Sequence, residues 1–390
     1  MEQQSVRKTY KYKLKPTLEQ ERVLDRTLML CRQLYNAALE ERREAWRMRR
    51  ISVTYYQQKA ELPGIKEALP EFAEINSQVL QDVVLRIERA FQAFFRRVQA
   101  GEKPGYPRFQ GRDRYNSLTY PQVGEHGGAR LDNGFLVLSK IGRIAVRWSR
   151  PLEGTPKTVT ISREADGWYA CFSCADVPIQ PLPLTGQETG IDLGLESFAT
   201  LADGDPLENP RIFRVWEMRL KRAQRRVSRR VKGSHRRRKA VKLLAKAHQK
   251  VRRARQDFHH KTALALVRQY DTICHEDLQP ANMVKNHHLA KSISDAGWRA
   301  FLSILSFKAA YAGKAVIAVP PAYTSQACSG CGVLVHKGLS ARWHECPECG
   351  TSLHRDHNAA LNILKRGREL AVGPGMAPQA RTQPVGAYVA

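Results

Sequence analysis

Two cysteine pairs near the C-terminus, Cys328-Ser-Gly-Cys331 and Cys346-Pro-Glu-Cys349, constrain the fold more tightly than any other feature of the chain. Each is a CxxC step, each is followed by a glycine (Gly332 and Gly350), and a short loop separates them. In a chain without secretory character this spacing reads as a metal site rather than as disulfides. Four thiolates close a tetrahedral shell and leave no position for water, so the expected metal is structural Zn²⁺. His336 and His344 fall inside the loop and are surplus to a complete ligand set. Cys171 and Cys174 form a further CxxC, but WYACFSCADV reads as a strand, which points i and i+3 side chains to opposite faces; both are expected to be structural.

Charge narrows the partner. With 64 Lys and Arg against 37 Asp and Glu, the 390-residue chain carries a formal net charge of +27. A field of that size is relieved by a polyanion, so nucleic acid is the expected ligand; membrane lipid is the weaker alternative, since no amphipathic basic helix stands at a terminus. The N-terminal MEQQSVRKTYKYK lacks an apolar leader, and no apolar run approaches the roughly 18 residues that a span needs. Cytoplasmic residence, with action at the nucleoid and no membrane partner, is expected.

Along the chain, VRKTYKYKLK reads as a strand that stops at Pro16, and Thr17 with Gln20 forms a capping box for a helix carrying Leu24, Leu28, Cys31 and Leu34 at helical spacing. A second apolar helical face runs from Ile75 to Val98 before Pro104, Gly105 and Pro107 break it. Short strands follow to about residue 180, and Pro178, Pro181 and Pro183 mark a linker. Beyond it, TGIDLGLESFATLADG pairs as a hairpin, residues 211–269 are helical and basic, and the strands DTICHED and KAVIAV flank a helix from Gly297 to Ala312. A last helix opens near Asp356, and the tail from Ala371 has the composition of a disordered segment.

Three carboxylates stand out in this order: Asp192 on a strand, Glu276 at a strand end, and Asp356 on a helix. Asp192 interrupts an apolar run between Ile191 and Leu193, a costly burial unless a partner such as a cation is supplied. Alternating helices and strands after a hairpin, the order of an RNase H-like fold, can bring such ends together, and hard oxygen ligands suit Mg²⁺ or Mn²⁺ for phosphodiester hydrolysis. Asp277 competes with Glu276 for its role, and His354, Arg355 and His357 crowd Asp356 as auxiliary groups. From Arg219 to Lys261 the chain offers phosphate contacts, above all Arg225, Arg226, Arg229, Arg230, Arg236, Arg237 and Arg238, around a turn at Gly233 and Ser234.

Together the segments GIDLG (190–194), HEDL (275–278), SISDAGW (292–298), YTSQACSGCG (323–332) and RDHNAALNI (355–363) resemble TnpB, the insertion-sequence-encoded family of RNA-guided nucleases related to type V CRISPR effectors. The resemblance spans about residues 5–368. It implies an α/β and β multi-domain protein: a β-barrel-like wedge domain (1–16 and 105–182) interrupted by a helical recognition lobe (17–104), then a RuvC-like nuclease domain (186–370) with an inserted zinc ribbon (322–353) and a disordered tail (371–390). It implies a guide RNA from the transposon end, a monomeric protein in the ribonucleoprotein, and a double-stranded DNA target cut beside a short motif that the protein itself reads. Asp192, Glu276 and Asp356 match the family's catalytic, metal-holding triad; Tyr55, Ser77 and Gln81 fall where the family contacts the target-adjacent DNA. Two other classes compete: a guided DNA-binding repressor, which needs an inactive triad, and a transposase that joins DNA ends through a tyrosine with a metal held by two histidines flanking an apolar residue. The doublets His259-His260 and His287-His288 lack that intervening residue.

Overall fold

The computed structural model describes residues 5–112, 114–338 and 341–372, which fall into two compact units that divide after Pro178. No helix among them is long and apolar enough to cross a membrane.

In the first unit, β1 (Ser5–Lys15) leads into α1 (Leu18–Arg49), α2 (Tyr55–Ala68), α3 (Pro70–Ala73) and α4 (Ser77–Gln99). Six strands follow: β2 (Ser117–Tyr120), β3 (Ala129–Asp132), β4 (Phe135–Leu138), β5 (Gly142–Arg147), β6 (Thr155–Glu164) and β7 (Gly167–Pro178). They join β1 in one antiparallel sheet of order β2-β6-β7-β1-β5-β4-β3. The period of β1 buries Tyr10, Tyr12 and Leu14 on one face and sets Lys11 and Lys13 on the other, against Glu164 and Asp166. The capping box at Thr17 and Gln20 forms, and α1 runs unbroken for 32 residues. Helix α4 starts two residues later than Ile75, because the Asn76 side chain accepts from Gln78 N (2.9 Å) and so ends the non-helical segment. Buried Arg42 ties three helices, donating to Gln58 of α2 and Glu88 of α4 at 2.8 Å each.

The second unit is built on β8 (Glu188–Leu193), β9 (Ser197–Leu201) and β10 (Pro206–Glu208), then the helices α5 (Ile212–Ser228) and α6 (His235–Gln269) and the strand β11 (Thr272–Glu276). Next come α7 (Pro280–Met283), α8 (His287–Ala296), α9 (Trp298–Tyr311), β12 (Ala315–Val319), the short hairpin β13 (Trp343–Glu345) and β14 (Ser352–His354), and α10 (Arg355–Val372). The five-stranded sheet has the order β10-β9-β8-β11-β12; β11 is parallel to both β8 and β12, while β8, β9 and β10 are antiparallel. Helix α10 includes Ala371 and Val372, the first two residues of the expected tail; the remainder of that tail lies outside the described residues. The proline-marked linker is pinned to its unit: Gln180 N and Leu182 N donate to the carbonyls of Tyr311 and Ala312, and Lys314 Nζ donates to Pro183 O.

Strand periodicity decides which residues face which helix. Ile191, Leu193 and Ile273 pack with α6 and α9 around Phe198, Leu266 and Phe301. The intervening residues, Gly190 and Asp192 on β8 and Cys274 and Glu276 on β11, lie on the other face, where α10 packs with Ile363 and Leu364. That approach is close because the residues beneath it are small. A Cβ on Gly190 would lie 2.1 Å from Ala360 O, and one on Gly367 would lie 2.1 Å from Cys274 Sγ.

A mid-helix glycine normally costs about 1 kcal/mol against alanine. At Gly367 the sign reverses: Gly367→Ala is expected to destabilise the second unit by about 1–3 kcal/mol through overpacking. In α2, Gly64 has open space around its Cβ position, and Gly64→Ala is expected to gain up to about 1 kcal/mol. Denaturant midpoints of the two variants, compared with the parent, check both signs.

Candidate active site and metal centre

The three carboxylates meet at one end of the second sheet. Asp192 is the penultimate residue of β8, and Glu276 the last of β11. The parallel register pairs Cys274 with Gly190 and His275 with Ile191, so Glu276 arrives beside Asp192 on the same face, one strand spacing of about 4.8 Å away. Asp356 enters from above, in the first turn of α10, where the helix dipole favours an anion. Its Oδ2 lies 4.0 Å from the Cβ position of Gly194, the residue that follows β8.

The electrostatics follow from that crowding. Desolvation, then the charges of Glu276 and Asp356, hold the Asp192 carboxyl well above the ordinary range, against an opposing pull from Arg355. Burial likewise pushes Glu276 up, and the Thr324 hydroxyl, which donates to Glu276 Oε1, and the charge of Arg366 relieve it in part. Arg355 commits its guanidinium to Gly338 O (3.0 Å) and Ser325 Oγ (3.1 Å) rather than to a carboxylate. The cluster is therefore an oxygen-rich anionic site short of cations, a donor set suited to a hard divalent ion. Asp277, the alternative to Glu276, is exposed, with its backbone N–H donating to Val319 O. His354 Nδ1 accepts from Asp356 N at 3.3 Å, and His357 Nε2 donates to Ala202 O at 3.1 Å, fixing the first turn of α10 to the end of β9.

The four cysteine sulfurs all lie within 4.8 Å of one another, the one such His/Cys/Asp/Glu cluster among the described residues. Cys328 meets Cys349, and Cys331 meets Cys346, at 3.5 Å each. A tetrahedron with Zn–S bonds of about 2.3 Å has sulfur–sulfur edges of about 3.8 Å, so the cavity fits the ion. The backbone turns at each knuckle on Gly332 (φ 84°) and Gly350 (φ 71°), in the left-handed region. Burial pushes the Cys328 thiol up, but N–H groups of Cys331 and Gly330 and the neighbouring His344 and Cys349 outweigh it and bring it down to about 5, into the thiolate form. His344 is fully buried against this sulfur, with Nδ1 facing Lys337 Nζ; it supports the cluster from outside the four ligands.

Sequence reasoning missed the groups that lock the two sites together. Asn358 accepts from Ser329 N (2.9 Å) inside the first knuckle and donates to Ala327 O (2.7 Å). One turn on, Asn362 donates to Thr324 O (2.9 Å) and Ala327 O (2.7 Å), and a further turn on, Arg366 donates to the carbonyls of Pro320 and Ala322. The local signal in the sequence was polar residues at i, i+4 and i+8 of a helix, the usual mark of a solvated face, although Asn358 and Asn362 lie within the RDHNAALNI motif.

The remaining expected contacts fall elsewhere. Arg225, Arg226 and Arg229 line the end of α5, and Arg236 and Arg238 the start of α6, all exposed around the Gly233 turn that Ser234 caps. Arg230 is half-buried. Arg237 turns inward, its Nη1 donating to Val227 O (2.9 Å) and Arg230 O (3.1 Å) as a cap on α5. In the first unit, Tyr55 opens α2 against the Tyr56 ring, Ser77 opens α4 and accepts from Lys66 Nζ (2.7 Å), and Gln81 sits half-buried one turn further along. Of the histidine doublets, His259 is buried in the aromatic cluster of Phe198, Phe258 and Phe301 with Nε2 donating to Ala296 O (2.8 Å), a core role.

Residues 170–287 match the family described as "Probable transposase" (OrfB of IS605), residues 298–363 the "Cas12f1-like, TNB domain", and residues 1–50 a "Helix-turn-helix domain", which here folds as β1 followed by the single helix α1. The chain is 38% identical over 393 residues to a protein of Streptomyces pristinaespiralis assigned by name as an RNA-guided DNA endonuclease, covering 98% of this chain and 95% of that one. It is 31% identical over 378 residues to InsQ of Escherichia coli K12, assigned by the same name, covering 92% of each. Among solved structures, Cas12f1 in its complex with single-guide RNA and target DNA superimposes with a TM-score of 0.57 at 14% identity, over 92% of this chain and 98% of that one. The RNA-guided endonuclease Cas_phi3 gives 0.50 at 12% identity, over 93% and 92%. These likenesses carry the mixed α/β fold.

Two outcomes follow. The purified chain is expected to hold about one zinc ion by elemental analysis, and Cys328→Ser to lose it, since a broken four-thiolate shell binds far more weakly. Because Asp192 binds its proton more tightly folded than unfolded, its contribution to stability is largest in acid and falls as pH rises from its unfolded value through its raised folded one. In chelator at neutral pH, Asp192→Asn is therefore expected to raise the melting temperature by about 2–4 °C, the shift of ~1 kcal/mol in a unit of this size, and to lose that advantage near pH 4. A calorimetric pH series would contradict this if the variant gained nothing at neutral pH.

Proposed function

The chain belongs to the TnpB family and is an RNA-guided DNA endonuclease, and we propose that Asp192, Glu276 and Asp356 are its catalytic residues, in an RNase H-like, RuvC-type site holding Mg²⁺ or Mn²⁺. The observation that carries this reading is the approach of three acids from three separate elements, close enough that the charges of Glu276 and Asp356 add to burial in raising the Asp192 carboxyl, a strain that a bound cation would relieve. A bound pair of divalent ions would supply activated water and neutralise the leaving oxygen. Asp192 and Glu276, side by side on parallel strands, would face the ions from the sheet, with Asp356 closing the set from α10. Thr324 would hold Glu276 in one orientation, and His357 would fix the turn that carries Asp356.

On the same reading, the guide RNA comes from the transposon end and selects the target strand by base pairing, while the protein reads a short flanking motif through Tyr55, Ser77 and Gln81. The exposed arginines of α5 and α6 (Arg225, Arg226, Arg229, Arg236 and Arg238) contact phosphates, with Arg230 at their edge and Arg237 bracing the turn between them. The wedge (1–16 and 105–182), recognition lobe (17–104) and nuclease domain (186–370, with the ribbon at 322–353) are supported by the division after Pro178 and by the helices that stand between β1 and β2. Zinc in the four-cysteine site is structural, and the protein acts as a monomer in the ribonucleoprotein. A histidine-based transposase gains nothing from the matched family's description, because His259 is spent in the core.

The test is purification with co-expressed transposon-end RNA and incubation with matched double-stranded DNA, a randomised flank and Mg²⁺. Wild type is expected to cut, and Asp192→Ala to lose at least ~10³-fold in rate. No wild-type cleavage across the flank library would refute the endonuclease reading for this chain, whereas undiminished cleavage by Asp192→Ala would refute the site.

A further inference from the structure

The SISDAGW segment is not absorbed by the catalytic cluster, yet it lines a cavity of about 370 Å³ in the second unit. The walls are the β8–β9 turn (Leu195 and Glu196), the start of α5 (Arg211 and Arg214), Lys291 of α8, and Arg342 between the two cysteine pairs of the ribbon. Leu195 follows Asp192 by three residues, so its Cα lies within about 11 Å of the Asp192 Cα. We propose that this cavity holds a backbone phosphate of the DNA strand being cut, about one to three nucleotides from the scissile bond, with Arg211 and Arg342 as the positioning residues. The proposal rests on the nuclease reading of the adjacent carboxylates.

The charges support an anion. Four cations line the cavity against two acids, and both acids are already engaged. Asp295 accepts from Phe213 N at 2.8 and 3.0 Å and pairs with Arg255 at 3.1 Å, so it serves as the N-terminal cap that α5 lacks from its own sequence. Glu196 faces Arg342 at 3.4 Å, but both side chains are about 60% exposed, and such pairs are weak enough for a phosphate to displace. Lys291 is paired with Glu217. Among the described residues, neither Arg211 nor Arg214 has a carboxylate within ion-pair distance; Arg214 reaches Ser292 Oγ at 3.3 Å.

The arrangement is also built. Asn209 donates to Leu195 O (3.0 Å) and accepts from Arg211 N (3.1 Å), fastening the turn that follows Asp192 to the residue that enters α5. Arg211 is held in the left-handed region (φ 43°), sparsely populated for a side chain with a Cβ, and its backbone is over-determined by Asn209 on one side and the Asp295 cap on the other. A guanidinium on a backbone fixed close to a carboxylate that handles phosphodiesters can reach the phosphates of a nucleic-acid strand, spaced by about 3.4 Å of rise per nucleotide, and its planar fork suits a phosphate's two oxygens.

The experiment uses the guide-loaded protein and target duplexes carrying a single uncharged methylphosphonate linkage, moved one nucleotide at a time from the cut. Wild type is expected to slow by about 10-fold or more at one position within three nucleotides, the effect of losing a charged contact. Arg211→Gln and Arg342→Gln are each expected to cut unmodified DNA about 10-fold more slowly, their double variant to be nearly indifferent to the neutral linkage, and Arg211→Lys to recover part of the rate. If wild type shows no such position, or if the double variant is slowed by the linkage as much as wild type, the subsite is overturned; the first result needs no variant to fold. If wild type fails to cut unmodified DNA, the nuclease reading falls and the subsite with it, an outcome distinct from both.

Discussion

Asp192 is buried in the field of Glu276 and Asp356, and the packing of the second unit is what holds it there. Parallel pairing of β8 and β11 fixes Asp192 beside Glu276, and the close descent of α10 onto Gly190 and Cys274 brings Asp356 to them. The descent depends on missing atoms. With a Cβ at residue 190 or 367 the helix would have to lift, and Asp356 would withdraw from the pair. The apolar packing of Phe198, Leu266 and Phe301 on the opposite face supplies the cohesion that the charged face lacks.

The two metal-type sites were legible in the sequence to different degrees, for a physical reason. A CxxC step carries its own geometry, since two ligands three residues apart must approach one ion, and the four sulfurs cluster as their spacing requires. Asp192 was visible as a charge inside an apolar strand, but its neighbour Glu276 lies on a strand reached only after two long helices, and nothing local states that the two strands pair. Family motifs supplied that link. Thr324, Asn358, Asn362 and Arg366 stayed hidden because they bind backbone carbonyls, a carboxylate or a backbone N–H whose positions exist only in the fold. Arg237 was legible only as one more charge in a basic run expected to contact phosphate; the fold also makes its Nη1 a donor to the orphan carbonyls at the end of α5.

Internal ion pairs compensate part of the charge on α5 and α6. Pairs such as Lys221 with Glu217 and Lys261 with Asp257 are i,i+4 contacts on the surface, each worth a few tenths of a kcal/mol. Against a formal net charge of +27 they change little, so the folded chain carries self-repulsion that a bound polyanion removes. The Asp295 cap on α5 and the Ser234 cap on α6 fix the helices at their starts, where like charges would otherwise favour fraying.

Helix α10 divides its faces between the two sites. Ala360, Leu364 and Gly367 meet the sheet beneath Asp356, while Asn358, Asn362 and Arg366 hold residues 320–329, the segment that ends in the first zinc knuckle. The consequences of disturbing the zinc site are therefore unequal among the acids. Asp356 is embedded in the helix and Asp192 in the sheet, and neither touches the knuckle. Glu276 takes its hydrogen bond from Thr324, which belongs to the segment that the zinc and the asparagine ladder jointly position. Loosening the ribbon would release that hydroxyl first, removing the contact that relieves Glu276 and leaving its carboxyl more weakly oriented. On the proposed reading, a metal in the four-cysteine site would act on the carboxylate site through one donor to one acid, from outside that site.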